Sequence, residues 1–350
     1  MSNIEWTGDT WNPIVGCSRI SDGCKNCYAE TMTKRLAAMG WPKYQGLLNE
    51  QGRFNGETRF DEDALLRPLK RKKPTTYFVN SMSDLFHGSI PDEWIDKVFA
   101  VMALCPQHTF QVLTKRVDRM REYVTDLYFN ENEDEFGDHF DLVASHACEL
   151  VNSPCADFIV DLDRPLPNVW LGVSTENQEQ ADARIPYLLD TPAAVRFVSA
   201  EPLLSEMDFD SSLGGTQWVG GQRGCGGTHH GNGSPDCPKH LHHHHDTRCK
   251  NGLDWIIVGG ESGAGARPCR VEHIRSIVRQ CKAADVPVFV KQLGSNAMGS
   301  ALIDAPPFPC SVEMTWNGAG VGSYSVKFNN RKGGDMSEWP EDLRIREMPK

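Results

Sequence analysis

The chain has 350 residues, 39% hydrophobic and 24% charged, with 36 Lys and Arg against 47 Asp and Glu and a formal net charge of −11. Such a composition is ordinary for a folded globular protein, and the acidic balance argues against broad, nonspecific binding to phosphate backbones. The start, MSNIEWTGDTW, lacks a basic stretch followed by an apolar one, and no run of about 18 apolar residues occurs, so the expectation is a cytoplasmic protein with no membrane segment.

An apolar step, Ile14-Val15, leads into a loop holding Cys17, Cys24 and Cys27, and Tyr28 to Met39 has helix-forming composition ended by Gly40 and Pro42. Gln45 to Lys73 is polar, closing on the basic run Lys70 to Lys73, which reads as a solvated face. Short, nearly continuous apolar runs then recur at Thr75–Asn80, Thr109–Leu113, Val169–Val173, Val195–Val198, Trp255–Val258 and Val288–Val290. Runs of that kind, rich in β-branched and aromatic residues, suit strands covered on both faces. Helical composition occupies Asp92–Leu104, Val117–Leu127, Glu176–Leu189 and Val271–Ala284. Strand followed by helix, repeated, predicts an α/β fold: a (β/α) barrel, complete or partial, over residues 1–294, whose first strand enters the cysteine loop. Two insertions interrupt it. Phe129–Phe158 is acidic at its start and is expected to be a partly helical, mostly solvated excursion, while Gly214–Gly252 is dense in Gly, His and Cys. The tail, Ser295–Lys350, is expected to be loop and cover over the barrel, with Asp335 and Trp339 as candidate pocket residues.

In such barrels the residues just after each strand line one mouth. Here those positions are polar. Asp84, His87 and Glu201 are candidates for acid–base work, and Lys115 with Arg116 for holding a carboxylate or phosphate. Ser174, Glu176 and Asn177 could bind ribose or adenine edges; equally, Ser174 or Thr175 could cap the helix that follows. At Gly259, Gly260, Glu261 and Ser262 the glycines would admit a ligand close to the backbone and the carboxylate would accept a hydrogen bond from an ammonium or ribose hydroxyl; the other reading is a tight turn with an exposed acid. Lys291 and Gln292 complete the set.

Twelve cysteines without an export signal belong to a reducing compartment, where clustered thiols mean metal or redox chemistry more often than disulfides. Cys105, Cys148, Cys155, Cys269, Cys281 and Cys310 are scattered and expected to pack as small apolar residues. Cys225, Cys237 and Cys249 enclose a histidine-rich stretch, and this insertion is expected to be a zinc-stapled knuckle in which His240, His242 or His244 completes the ligands. Cys17, Cys24 and Cys27 stand as C-x6-C-x2-C. Three thiolates can hold three irons of a [4Fe–4S] cluster and leave the fourth open to a small molecule. The alternatives are a structural zinc completed by a distant ligand and unliganded packing.

The cysteine loop, together with VNSMSDLFH (Val79–His87), LTKR (Leu113–Arg116), GVSTEN (Gly172–Asn177), SAEPLL (Ser199–Leu204), the stretch His242–Pro268 and VKQLG (Val290–Gly294), resembles the phage-related three-Cys-motif family, a family of unknown function, over most of the chain. That family's motif is in turn similar to the cluster loop of radical S-adenosylmethionine (SAM) enzymes. The resemblance implies a [4Fe–4S] cluster and SAM as cofactors, with the open iron taking the amino and carboxylate groups of SAM, and reductive cleavage to a 5′-deoxyadenosyl radical. It further implies a reductant protein as partner and a nucleotide or nucleic acid as substrate class. The chain departs from the radical SAM pattern in two places: six residues rather than three separate its first two cysteines, and its Gly-Gly-Glu follows the sixth strand rather than the second. Two other readings stand beside this one, a zinc-stabilised binding protein without radical chemistry and a metal-dependent hydrolase or nuclease using Asp84, His87 and Glu201.

Overall fold

A computed structural model of the chain describes residues 4–128, 138–152, 165–209, 252–301, 308–316 and 322–349. In chain order its elements are β1 (Asp9–Trp11), β2 (Ile14–Val15), α1 (Tyr28–Ala38), β3 (Arg59–Phe60), α2 (Glu62–Leu65), α3 (Arg67–Lys70), β4 (Thr76–Val79), α4 (Asp92–Leu104), β5 (Thr109–Thr114), α5 (Val117–Tyr128) and α6 (Asp138–Val151). There follow β6 (Val169–Ser174), α7 (Gln178–Asp190), β7 (Val195–Ala200), β8 (Trp255–Gly259), β9 (Cys269–Arg270), α8 (Val271–Ala283), β10 (Val288–Gln292), β11 (Ala297–Ala301), β12 (Ser311–Trp316) and β13 (Gly322–Lys327). The fold is mixed α/β on a parallel seven-stranded sheet of order β1-β4-β5-β6-β7-β8-β10. That order has two ends, so the partial form of the expected barrel is the one found. The six apolar runs are strands and the five expected helices are helices, all within two residues of their expected ends.

The first strand differs. Ile14-Val15 is not in the parallel sheet but pairs antiparallel with β3, Ile14 opposite Phe60 and Val15 opposite Arg59. The sheet strand is β1, three residues earlier, in register with β4 from Asp9↔Tyr77 to Trp11↔Val79. Pro13 explains the break, because a residue without an N–H cannot continue a ladder.

The chain divides into two compact units, one of Met1–Val173 with Pro186–Arg196 and one of Ser174–Ile185 with Phe197–Lys350. In the first, Trp11, Tyr77 and Phe110 lie in the core, with ring centroids 5.3 Å apart for Trp11 and Phe110 and 5.7 Å for Tyr77 and Phe110. The Trp11 indole N–H donates to Ala64 O at 2.8 Å, so the ring is buried without orphaning its polar atom. On α4 the run Val98–Ala103 is wholly buried. A helix apolar all round needs a second layer, and α6 supplies it with buried Phe140, Val143 and Ala147. The helix within the acidic insertion thus packs one side on α4, while Leu142 and Val151 stay exposed in keeping with a largely solvated excursion. Each buried Val, Phe or Met in these helices contributes about 1.5–3 kcal/mol. One polar knot lies within this layer: Asp96 on α4 accepts from Tyr123 Oη at 2.7 Å and stands 3.0 Å from His139 Nδ1 on α6.

In the second unit β7, β8 and β10 run parallel, and α8 buries Val271, Ile274, Ile277, Val278 and Cys281, the stripe that three- and four-residue spacing produces. The tail is not the loop expected. β9, β11, β13 and β12 make a four-stranded sheet in the order β12-β13-β11-β9, and Val290 N–H donates to Ile345 O at 2.9 Å while Glu347 N–H donates to Val288 O at 3.0 Å, covering the free edge of β10. Trp339 is fully buried with its indole N–H on Gly333 O at 2.9 Å, and Asp335 caps a turn by accepting from Ser337 N–H at 2.9 Å, so both serve the tail's own packing. Cys105, Cys269 and Cys281 are buried, which pushes each thiol up to about 12, as expected of packing residues; Cys148 and Cys310 are half-buried and Cys155 lies outside the described residues. Among the described residues no helix is long and apolar enough to cross a membrane.

The hydrogen bond to Asp96 raises the pKa of His139 above its ordinary 6.5. A raised histidine stabilises the fold fully below its unfolded pKa and loses that contribution as pH rises through the folded one. Urea unfolding should therefore show wild type losing about 1 kcal/mol or less relative to His139→Gln between about pH 6 and about pH 8, the partial solvent access of the imidazole keeping the effect small.

Candidate functional site

The three N-terminal cysteines are set by a loop whose ends are fixed by backbone. Gly16 has φ 96°, and a Cβ on it would stand 2.1 Å from Glu57 O, so only glycine lets the chain pass here. Gly16 N–H donates to Met82 O at 3.1 Å and Gly56 N–H donates to Cys17 O at 3.0 Å, which fixes Cys17 from both sides. A single 3-10 turn, Asp22–Cys24, positions Cys24, and Cys27 is the residue just before α1. Beneath the loop, Cys17 and Cys27 pack on a small core of Val15, Ala29, Tyr44, Leu47, Phe54 and Met82.

Two guanidinium groups hold this loop to its surroundings. Arg19 binds Glu30 of α1 through both arms, Nε to Oε1 at 3.0 Å and Nη2 to Oε2 at 2.5 Å, while Glu30 also accepts from Phe54 N–H at 3.0 Å. Arg116, just past β5, donates from Nη1 to Asp84 Oδ2 at 2.9 Å and from Nη2 to Ser18 O at 2.9 Å and Ser18 Oγ at 3.1 Å; its Nη1 is 3.8 Å from Cys17 Sγ. Asp84 further accepts from Thr114 Oγ1 at 2.6 Å, Lys115 N–H at 3.0 Å and Phe86 N–H at 3.1 Å. His87 Nε2 meets Ser18 Oγ at 2.7 Å, and its Nδ1 takes Ser89 N–H at 3.2 Å and stands 2.8 Å from Ser89 Oγ. Asp84, His87, Lys115, Arg116 and the Cys17–Ser18 step are thus brought together. Asp84 is engaged as an organiser by four donors, and Lys115 contributes its backbone.

Burial pushes the Cys17 thiol up to about 12, with Asp84 adding to the rise and Arg116 opposing it. Cys27 is likewise raised by burial, against the opposing N–H groups of Glu30 and Ala29. Cys27 contributes to the rise at Cys17 and Cys24 to that at Cys27, and both Cys27 and Cys24 raise Arg19, so sulfurs and guanidiniums share one local field. Burial first and Arg116 second hold His87 below its ordinary 6.5. The chemistry of the donor set suits a thiolate-ligated centre: three sulfurs from one loop, whose charge on losing their protons two guanidiniums would offset. Among the described residues no three His, Cys, Asp or Glu side chains form a group that could hold a metal ion as they stand.

The other candidates lie in the second unit. Ser174 is buried with its hydroxyl donating to Glu201 O at 3.1 Å, and Glu176 is buried against Arg184 Nη1 at 3.1 Å. Asn177, rather than Ser174 or Thr175, caps α7, its Oδ1 accepting from Gln180 N–H at 2.9 Å. Glu201 pairs with Lys291 Nζ at 3.2 Å and accepts from Ser199 Oγ at 3.2 Å, lying over Gly259, where a Cβ would be 2.8 Å from its Oε1. A Cβ on Gly260 would be 2.4 Å from Leu293 O, so close approach of backbone accounts for this glycine. Glu261 is neither exposed nor open: Arg267 N–H reaches its Oε2 at 2.8 Å and Arg267 Nη2 its Oε1 at 2.6 Å, while Ser262 is exposed in the turn that follows. Cys225, Cys237, Cys249, His240, His242 and His244 lie outside the described residues.

Ser18, Arg19, Glu30 and Ser89 were not candidates from sequence. Arg19 stands two residues after Cys17 and Glu30 three after Cys27, a spacing that could have drawn notice, but nothing in the sequence pairs them.

A family model with the description "Protein of unknown function (DUF5131)" matches residues 1–336. No curated protein and no solved structure matches the chain.

Breaking the central pair should be costly because Asp84 is nine-tenths buried. Arg116→Ala should lower stability by about 3 kcal/mol in urea unfolding, and adding Asp84→Asn should recover part of that loss, since the uncompensated buried charge goes with it.

Proposed function

We propose that this chain, which belongs to the DUF5131 family of proteins of unknown function, is a radical SAM-like iron–sulfur enzyme. One observation carries the reading. Cys17, Cys24 and Cys27 issue from a single loop that follows the first strand of a parallel α/β sheet, and Arg116 ties that loop to the ends of β4 and β5. Cys17, Cys24 and Cys27 would hold a [4Fe–4S] cluster, with Arg116 and Arg19 offsetting the charge of the thiolates. When bound, that group supplies the electron for reductive cleavage of SAM. Arg116 holds Ser18, and with it the neighbouring Cys17, to Asp84, and the tie of Arg19 to Glu30 holds the thiol loop to α1. A nucleotide or nucleic-acid substrate belongs to the same reading, received at a local surface since the chain as a whole is acidic. A zinc knuckle built on Cys225, Cys237 and Cys249 is a separate part of the proposal.

Protein purified without oxygen should be brown and carry about four irons per chain. Cys24→Ala should remove colour and iron together, Cys237→Ala should leave both and release zinc, and SAM with a chemical reductant should yield 5′-deoxyadenosine. Colourless protein holding only zinc after cluster reconstitution would overturn the reading in favour of a metal-stapled binding protein, and hydrolysis of a phosphodiester without SAM would favour a metal-dependent nuclease.

A further inference from the structure

Lys291 stands outside the regular pairing of its own strand. β8 and β10 run in register from Ile256↔Val288 to Val258↔Val290, but Gly259 then pairs with Gln292, which leaves Lys291 as an extra residue with no counterpart in β8. An extra residue at a strand end re-aims a side chain, and such bulges gather beside active sites. Here it turns the ammonium onto the carboxylate of Glu201, 3.2 Å from Oε1 and 3.4 Å from Oε2. Arg346 Nη2 holds the bulge in place by donating to Lys291 O at 3.0 Å. The carboxylate is held as firmly. Leu203 N–H donates to Gly259 O at 2.9 Å, Ser174 Oγ to Glu201 O at 3.1 Å and Ser199 Oγ to Glu201 Oε2 at 3.2 Å. The two serines are buried, whereas the side chains of Lys291 and Glu201 are 22% and 13% exposed. Gly259 beneath them has no side chain to close the space, since a Cβ there would stand 2.8 Å from Glu201 Oε1. All these residues belong to the second unit, at the carboxyl ends of its parallel strands, the edge where such sheets take ligands.

A partly solvated ion pair contributes little to stability, but a lysine whose proton a neighbouring carboxylate can take and return is the arrangement that carbonyl chemistry uses. Going beyond the function proposed above, and independent of what the thiols hold, we propose that Lys291 binds a small aldehyde or ketone covalently as an iminium, with Glu201 as its proton shuttle. Glu201 takes one proton from the ammonium, the freed lone pair bonds to the carbonyl carbon, and a second proton passes from nitrogen to the former carbonyl oxygen. Glu201 then returns its proton to that oxygen, the C–O bond breaks and water leaves. Both hydrogens of the water come from the ammonium, and no oxidant or reductant is consumed.

The test incubates the full chain with glycolaldehyde and cyanoborohydride, which reduces an iminium to a stable secondary amine, and follows each lysine by peptide mass mapping. Lys291 should be trapped at least about tenfold faster than exposed Lys34 and Lys332, because its proton transfers are supplied in place. Lys291→Arg should remove that label and leave the rest of the map unchanged. Glu201→Gln should slow trapping at Lys291 at least about tenfold and leave Lys34 and Lys332 as they were, with circular dichroism checking the fold. A pair that only ties the turn after β7 to β10 gives the opposite result, since removing the carboxylate frees the amine and speeds its labelling; that outcome would overturn the proposal. So would wild-type Lys291 trapped no faster than the two exposed lysines, a ratio that decides the matter alone if Glu201→Gln does not fold. Iron content bears only on the proposed function: iron-free protein that traps the aldehyde at Lys291 leaves this inference standing, and iron-loaded protein that does not trap it sinks this inference alone.

Discussion

The ion pair between Asp84 and Arg116 is the constraint from which the rest of the first unit's site follows. Asp84 sits in the turn after β4 and Arg116 just past β5, and between them they account for the hydroxyl of Thr114, the backbone N–H groups of Lys115 and Phe86, and the carbonyl and hydroxyl of Ser18. Neighbouring parallel strands bring their carboxyl ends to one edge whatever their sequence. What this sequence adds is a buried charge on one loop and a matching guanidinium on the next, so the loops cannot drift apart without leaving a buried carboxylate unpaired. The thiol loop is then attached to that pair through Ser18 and not held by packing alone.

Much of this arrangement is legible in the sequence. The strands are continuous apolar runs because helices and neighbouring chain cover both their faces, and that pattern survives translation into sequence with almost no ambiguity. β12 and β13 escaped because their pattern is of the other kind: on β13 Tyr324 and Val326 point inward while the residues between are more open to solvent, and a short half-buried strand among glycines is easily mistaken for loop. α6 escaped for a different reason. Its acidic neighbours in sequence suggested solvent, yet the wholly apolar face of α4 was itself a sign that something had to lie on it.

The site residues divide in the same way. Asp84, His87, Lys115 and Arg116 could be found because strand ends face one edge, and topology fixes that. Glu261 could not be judged, because its partner Arg267 is returned to it by a turn through Gly263 and Gly265, both with positive φ. A carboxylate behind two glycines looks like a ligand contact until the arginine six residues later is seen to close on it. Arg19 and Glu30 illustrate the limit again: a bidentate pair across eleven residues depends on how a loop folds back on its own helix, which no periodicity records.

The short pairing of β2 with β3 does more than anchor Cys17. By joining Ile14 to Phe60 and Val15 to Arg59 it brings the two ends of residues 16–58 to one point, and that excursion carries its own small core around Tyr44, Leu47 and Phe54. Met82, which follows β4, completes that core, and Cys17 and Cys27 rest on it, so where these two sulfurs lie depends on the excursion's own apolar residues as much as on the sheet.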